Sequence, residues 1–308
     1  MLPNELTESD TSNRRSFIQK TGLLLGGAAL LNIPAISIAQ KISNKFETYT
    51  VQNIIDLIIK EAKLSPFKDT VDNIKAGSAD QIVTGIISTM FPTVAIIEEA
   101  VKLKANLIIA HEPTFYSAVD NLAKQETNAM IQKKQALLKE HGITVWRFHD
   151  YSHFMQPDMI SQGVKKKMGW ESYQKKGEPL IKIPAISLEK LIQSFKKNLS
   201  IQHLRAIGDL KQTCSNISLL PGAWGEQAHI NAIEKNKPDV LVIGELVEWE
   251  TAEYVRDARK MGSNIALIIL GHSVSEEPGM ELFVQWLTPK LPGLPITHIA
   301  SGDPFLWI

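Results

Sequence analysis

The sequence predicts an α/β fold. Helix-period segments alternate with short β-rich runs from Thr48 to the end of the chain. The runs, such as Asn106-Leu-Ile-Ile-Ala110 and Asp239-Val-Leu-Val-Ile243, are almost continuously apolar, as buried strands are. With 308 residues, 44% of them hydrophobic, the chain is long enough to bury one large core or two modest ones and too apolar to stay disordered.

In chain order, the spacing predicts a helix over residues 51–62, a β-rich stretch over 81–87, an amphipathic helix over 93–104 and a buried strand over 105–110. A helix over 126–141, a strand over 144–148 and a helix over 158–168, stopped by Gly169, follow. Lysines, a glycine and two prolines make residues 175–184 the best candidate linker. Beyond it a helix is expected over 187–199, strands over 201–208 and 216–220, a helix over 225–236 and a strand over 240–243. Then come a helix over 250–261, a strand over 265–270, a helix over 275–291 interrupted by prolines, and a last strand over 297–300. There is no short-period repeat and no low-complexity segment.

The first 39 residues stand apart. Asn13-Arg14-Arg15-Ser16-Phe17-Ile18-Gln19-Lys20 leads into an apolar stretch and resembles a twin-arginine export signal. Its apolar centre, residues 22–31, is too short and glycine-rich for a comfortable bilayer span, and Ser37-Ile38-Ala39 offers small residues for cleavage before Gln40. The expectation is removal of residues 1–39, a periplasmic or otherwise exported protein, and no stable membrane span afterwards; an N-terminal anchor or a chance basic pair is the competing reading. Since that export route carries folded proteins, it implies a metal chosen before export.

Lysine plus arginine number 33 and aspartate plus glutamate 33, so no net field recruits a nucleic acid or an anionic membrane, and no nucleic-acid partner is expected. Cys214 is the only cysteine, which excludes an intrachain disulfide.

The chemistry gathers where strands end. Residues 106–110 run into His111-Glu112, 145–148 into His149-Asp150, 239–243 into Gly244-Glu245, and 266–270 into Gly271-His272. In open α/β sheets, ligands bind at the carboxyl ends of the strands. His153 follows His149, and Glu276 follows His272, four residues on, and one helical turn, or a tight turn opening a helix, would aim both members of each pair the same way. Imidazoles with carboxylates suit zinc, manganese or iron, and a carboxylate able to bridge makes a dinuclear site plausible. Taken singly, a histidine at a strand end is more often a satisfied polar side chain, Glu112 or Glu276 a helix-start carboxylate, and the pair at 149 and 153 a polar turn; the convergence of His111, Glu112, His149, His153, His272 and Glu276 favours a metal site. His141, His203, His229 and His298, in helical or turn surroundings with no ligand type beside them, are expected to take no part.

The stretch Ala105-Asn-Leu-Ile-Ile-Ala-His-Glu-Pro-Thr-Phe115 resembles the strand-His-His-Pro motif of the Nif-three-like dinuclear-metal hexamer family, whose members are also labelled type 2 GTP cyclohydrolase homologues. His149-Asp-Tyr-Ser-His153 is similar to that family's His-Thr-Asn-Leu-Asp, Gly244-Glu245 to its Thr-Gly-Glu, and Gly271-His-Ser-Val-Ser-Glu276 to its Gly-His-Tyr-x-Ser-Glu. Gly302-Asp-Pro-Phe305 also fits, so the resemblance runs from about Thr50 to the C-terminus. It implies two similar α/β lobes, residues 40–174 and 175–308, with mixed sheets flanked by helices, two divalent transition metals in the cleft between them, and a homo-hexameric ring. It assigns metal ligation to His111, Glu112, His153, His272 and Glu276, with Glu276 the bridge and His149 an additional or outer ligand.

The chain departs from the family pattern in a reciprocal way. A histidine has become Glu112 and a carboxylate has become His153, so the tally of donors is unchanged, as in a retuned rather than a lost site. After the Gly-Glu motif, Glu248 and Trp249 stand where the family often has histidines, so the family's substrate is not carried over. The expected function is a metal-dependent hydrolase acting on a small molecule outside the cytoplasm, with Glu245 or Asp150 as candidate general base. The alternatives are a metal-binding or metal-delivery protein without turnover and a ring that binds a partner. In that last reading Trp249 and Trp307, otherwise expected in the core, would be contacts.

Overall fold

The computed structural model describes residues 48–120 and 127–308; the export-signal expectation falls on residues outside these. Four-residue apolar runs form the central strands of two sheets. In the first sheet β2 (Ile86–Thr89), β3 (Leu107–Ala110) and β4 (Thr144–Arg147) are parallel and buried throughout. They are flanked by antiparallel β1 (Ile74–Ala76) and parallel β10 (Ile296–His298), in the order β1-β4-β3-β2-β10. The second sheet joins β5 (Ile181–Ser187), β7 (Thr213–Leu220), β8 (Val240–Ile243), β9 (Ala266–Ile269) and β6 (Arg205–Ile207), with β7, β8 and β9 parallel and both edges antiparallel.

Both faces of each sheet are covered, which is why the inner strands read as continuous apolar runs. On the first sheet, α1 (Val51–Glu61) and α9 (His272–Leu287) pack on Ile86, Leu107, Ile109, Trp146 and Phe148. On its other face α2 (Val94–Lys102) and α3 (Ala129–Glu140) enclose Ile87, Ile108 and Val145. A short helix, α4 (Asp150–Phe154), follows β4, and α5 (Met159–Met168) follows that. On the second sheet α6 (Leu188–Asn198) lies on one face, with α7 (Glu226–Asn236) and α8 (Glu253–Lys260) on the other. Side-chain caps from Thr50, Thr93, Asn128, Asp158 and Ser187 start five of these helices.

Several expectations are corrected. Residues 175–184 are not all linker: from Ile181 the chain is edge strand β5, and its irregular register between Lys182 and Ile186 accommodates Pro184. Strand β1 was not expected; with three half-buried residues it carries almost no periodicity. The β-rich stretch at 81–87 enters the sheet only from Ile86. The last helix starts at His272, runs through Pro278 and stops at Leu287, three residues earlier along the chain at its start than the expected Ser275. His298 lies in a strand, not a helix or turn. Trp249 and Trp307 are exposed rather than core. The last strand returns to the first sheet, so a division at residue 175 separates the two sheets except for β10 and the helix α9 that leads to it. No helix among the described residues is long and apolar enough to cross a membrane.

Candidate metal centre

The carboxyl ends of the parallel strands of both sheets meet at one place. His111 and Glu112 follow β3, and His149 follows β4 as the residue that starts α4 and so places His153 one turn on. From the second sheet, Gly244-Glu245 follows β8, and His272 opens α9 with Glu276 one turn further. All six expected donors are thereby brought together. Ligand atoms of His111, His149 and His153 lie within 4.8 Å of one another, as do those of His111, Glu112 and Glu276. His272 Nε2 stands 3.3 Å from Glu112 Oε1 and 3.1 Å from Glu276 Oε2.

Each imidazole is held at Nδ1 by an acceptor outside the cluster. His111 Nδ1 meets the Phe148 carbonyl at 3.1 Å, His149 Nδ1 meets Asp150 at 2.9 Å, His153 Nδ1 meets Asp158 at 3.2 Å, and His272 Nδ1 meets Glu245 at 3.2 Å. A proton kept on Nδ1 by such a partner leaves the Nε2 lone pair for the interior, the arrangement of metal-binding histidines.

The fit to a cation is testable on the buried atoms themselves. His111 Nε2 and Glu276 Oε2 are buried, make no well-aligned hydrogen bond and face each other at 3.5 Å, with His272 Nε2 3.1 Å from the same carboxylate oxygen. Unsatisfied polar atoms this deep are costly unless something else binds them, and a divalent ion suits this mixed donor set. The Glu276 carboxylate lies flush against Gly222, where an added Cβ would come within 2.1 Å of Oε1; with φ at +80°, this position also favours glycine. Ser275 Oγ accepts the Gly222 N–H and donates to the His272 carbonyl, fixing the turn of α9 that presents both donors.

The electrostatics match. Burial pushes His111 well below its ordinary range, helped by the neighbouring imidazoles, so it is a neutral donor. For His272, burial works in the same direction, but the carboxylates of Glu112, Glu245 and Glu276 outweigh it and lift its pKa to about 12. The three carboxylates thus draw positive charge to this point, which a bound cation would supply in place of the proton.

Three residues that sequence reasoning missed hold this arrangement. Asp72 accepts the backbone N–H groups of His149, Asp150 and Tyr151 at 2.8, 3.0 and 2.8 Å, capping α4 from elsewhere in the chain. Buried Arg147 donates to the His111 and Ala118 carbonyls and reaches Glu112 Oε2 at 3.4 Å. Asp158 was legible only as a helix start; its second oxygen holds His153. A capping carboxylate between two histidine-bearing turns was the available signal for Asp158, whereas nothing local marks Asp72.

Asp150 and Glu245, the expected bases, both touch Nδ1 of a donor histidine. Asp150 is engaged on both oxygens, since Thr70 Oγ and the Val71 N–H also bind it, while the Glu245 side chain is 55% exposed. His141, His203, His229 and His298 stand outside both donor groups: His229 is buried against Thr251, His203 stacks on Trp307, and His298 binds Glu277.

The chain resembles known proteins over most of its described residues. The chain is 24% identical over 244 residues, 75% of its length and 86% of the relative's, to a protein of Clostridium acetobutylicum named GTP cyclohydrolase 1 type 2 homolog. The Staphylococcus aureus protein SA1388 shares its fold, with a TM-score of 0.67 at 18% identity, covering 84% of this chain and 99% of that one. So does a Bacillus cereus protein related to NIF3, with a TM-score of 0.63 at 13% identity, covering 85% of this chain and 100% of that one. Residues 49–304, which span both sheets and every donor described above, match the Duf34/NIF3 (NGG1p interacting factor 3) family, and the chain belongs to it.

Proposed function

We propose that this protein holds two divalent transition-metal ions, zinc, manganese or iron, and uses them to hydrolyse a small molecule outside the cytoplasm. The observation that carries this reading is the buried pair His111 Nε2 and Glu276 Oε2, neither making a well-aligned hydrogen bond, at the focus of four imidazoles whose Nδ1 atoms are already tied elsewhere. Bound ions of this kind supply Lewis acidity and acidify water.

The chain's own residues then divide the work. Asp150, with both oxygens engaged, orients His149. Glu245 is the candidate general base: its link to His272 holds its pKa below the ordinary value, so it is an ionised acceptor, and it stands at the exposed rim. The sequence supports export through its arginine pair, and family resemblance supports a hexameric ring, which light scattering on the purified protein would check.

The test is metal per chain in the parent beside His272→Ala and Glu276→Ala. About two ions in the parent, with a clear loss in both variants, is the expected result, and turnover of phosphoester, amide or cyclic substrates should fall with the metal. A loaded parent that turns over none of them supports a metal-carrying protein without catalysis. A parent without metal sinks the reading.

A further inference from the structure

The donors do not form one uniform cluster. His111 belongs both to the group with His149 and His153 and to the group with Glu112 and Glu276. An imidazole nitrogen has one lone pair, so His111 Nε2 serves one ion at a time. When it serves the histidine group, the other ion is left with Glu112, Glu276 and His272, whose Nε2 is within 3.3 Å of a carboxylate oxygen on each.

The two groups differ in chemistry as well as membership. The rings of His111, His149 and His153 are mutually close, with centroids 4.6, 5.1 and 5.0 Å apart, and the nearby carboxylate oxygen Glu112 Oε1 stands 3.7 Å from His149 Nε2 and 3.9 Å from His111 Nε2. Asp150 and Asp158 stand behind two of them, each on an Nδ1, where a carboxylate makes the imidazole a better donor. The other group is built on two carboxylates, and Arg147 beside Glu112 Oε2 both turns Oε1 inward and offsets part of its charge. Three imidazoles suit a borderline ion; carboxylates suit harder ones.

Resting on the dinuclear reading above, we propose that His111, His149 and His153 form a self-sufficient three-imidazole pocket for one borderline divalent ion of the zinc and cobalt class. The pocket of Glu112, Glu276 and His272 fills separately. His153 is the residue that creates this asymmetry, because an aspartate there would return a carboxylate to the first pocket.

Cobalt is the probe, because its visible absorption is intense when four-coordinate and weak when six-coordinate. The metal-stripped full chain is titrated with Co2+, with circular dichroism confirming that each variant is folded. The first equivalent is expected to give the intense band. In His149→Asn and in His153→Asp that band should be lost and first-equivalent affinity should fall by more than about tenfold, the lower end of what losing even an outer partner costs a metal site. In Glu112→Gln and Glu276→Gln the first equivalent should keep its band and affinity, with only the second weakened. A first equivalent lost in Glu112→Gln and kept in His149→Asn overturns this inference while leaving two-metal binding intact. A parent that binds no cobalt overturns the dinuclear reading, and this inference with it.

Discussion

Glu112 shows how much a single side chain is asked to do. One oxygen faces His149 at 3.7 Å and His272 at 3.3 Å, the other meets Arg147, and the loop that follows is anchored by buried cations. Lys134 is one of these: 3% exposed on α3, it donates to the Thr114 carbonyl at 2.7 Å. Burial lowers its pKa from 10.5 to about 8, with Asp120 pulling weakly the other way. Between those values the unfolded chain holds a proton that the folded chain has released, so this group's contribution to stability rises with pH across that window. The slope is at most about 1.4 kcal/mol per pH unit. Chemical denaturation from pH 7 to 10.5 should therefore show Lys134→Met losing ground to the parent as pH rises; a constant difference would sink the idea. The donor residues themselves were legible in the sequence, because histidine and glutamate at the ends of apolar runs are visible without a structure. Arg147 was not, since a buried arginine inside a strand has no local signature.

At the scale of elements, α4 is the weak member that matters most. It has five residues, no side-chain cap of its own, and carries His149 and His153 at its two ends. A helix this short does not hold itself. Asp72 supplies the missing cap; burial raises its pKa, and the three N–H bonds it accepts pull it back only in part. Asp72→Ala leaves three donors unsatisfied and is expected to cost about 1–3 kcal/mol in thermal or chemical unfolding. It should also lower metal per chain, with Asp72→Asn, which keeps one acceptor oxygen, recovering part of both. Parental metal content in Asp72→Ala would show that α4 is positioned by something else. The spacing of His149 and His153 allowed a helical turn here without requiring one, and Asp72, which caps it, left no local mark, because the contact spans more than seventy positions.

At the scale of the whole molecule, α5 and α9 tie the two sheets together. Met159 and Ile160 of α5 belong to the first core and Val164 and Met168 to the second, while α9 lays Met280, Phe283 and Leu287 on the first sheet. The two helices touch backbone to backbone at glycines. A Cβ on Gly163 would come within 2.3 Å of Gly279 N, and one on Gly279 within 2.5 Å of Ile160 Cα. Gly279→Val must push the helices apart, at a cost of about 1–3 kcal/mol. Because α9 also carries His272 and Glu276, the same variant should bind Co2+ more weakly; unchanged affinity together with an unchanged unfolding midpoint would show that this crossing is not what sets the distance between the two halves of the site.

The sequence by itself determined the α/β class and the helices and inner strands to within a few residues, and it singled out the six candidate donors that the fold brings together, because burial on two faces and chemistry at strand ends both leave local patterns. Edge strands β1 and β5, half-buried and broken by Pro184 in the second case, left none. Only the tertiary structure decided that the last helix and strand return to the first sheet, that Asp72 caps α4, and that three imidazoles gather beside two carboxylates. Those outcomes depend on residues far apart in sequence being packed to within hydrogen-bond distance, and no periodicity along the chain encodes a contact of that kind.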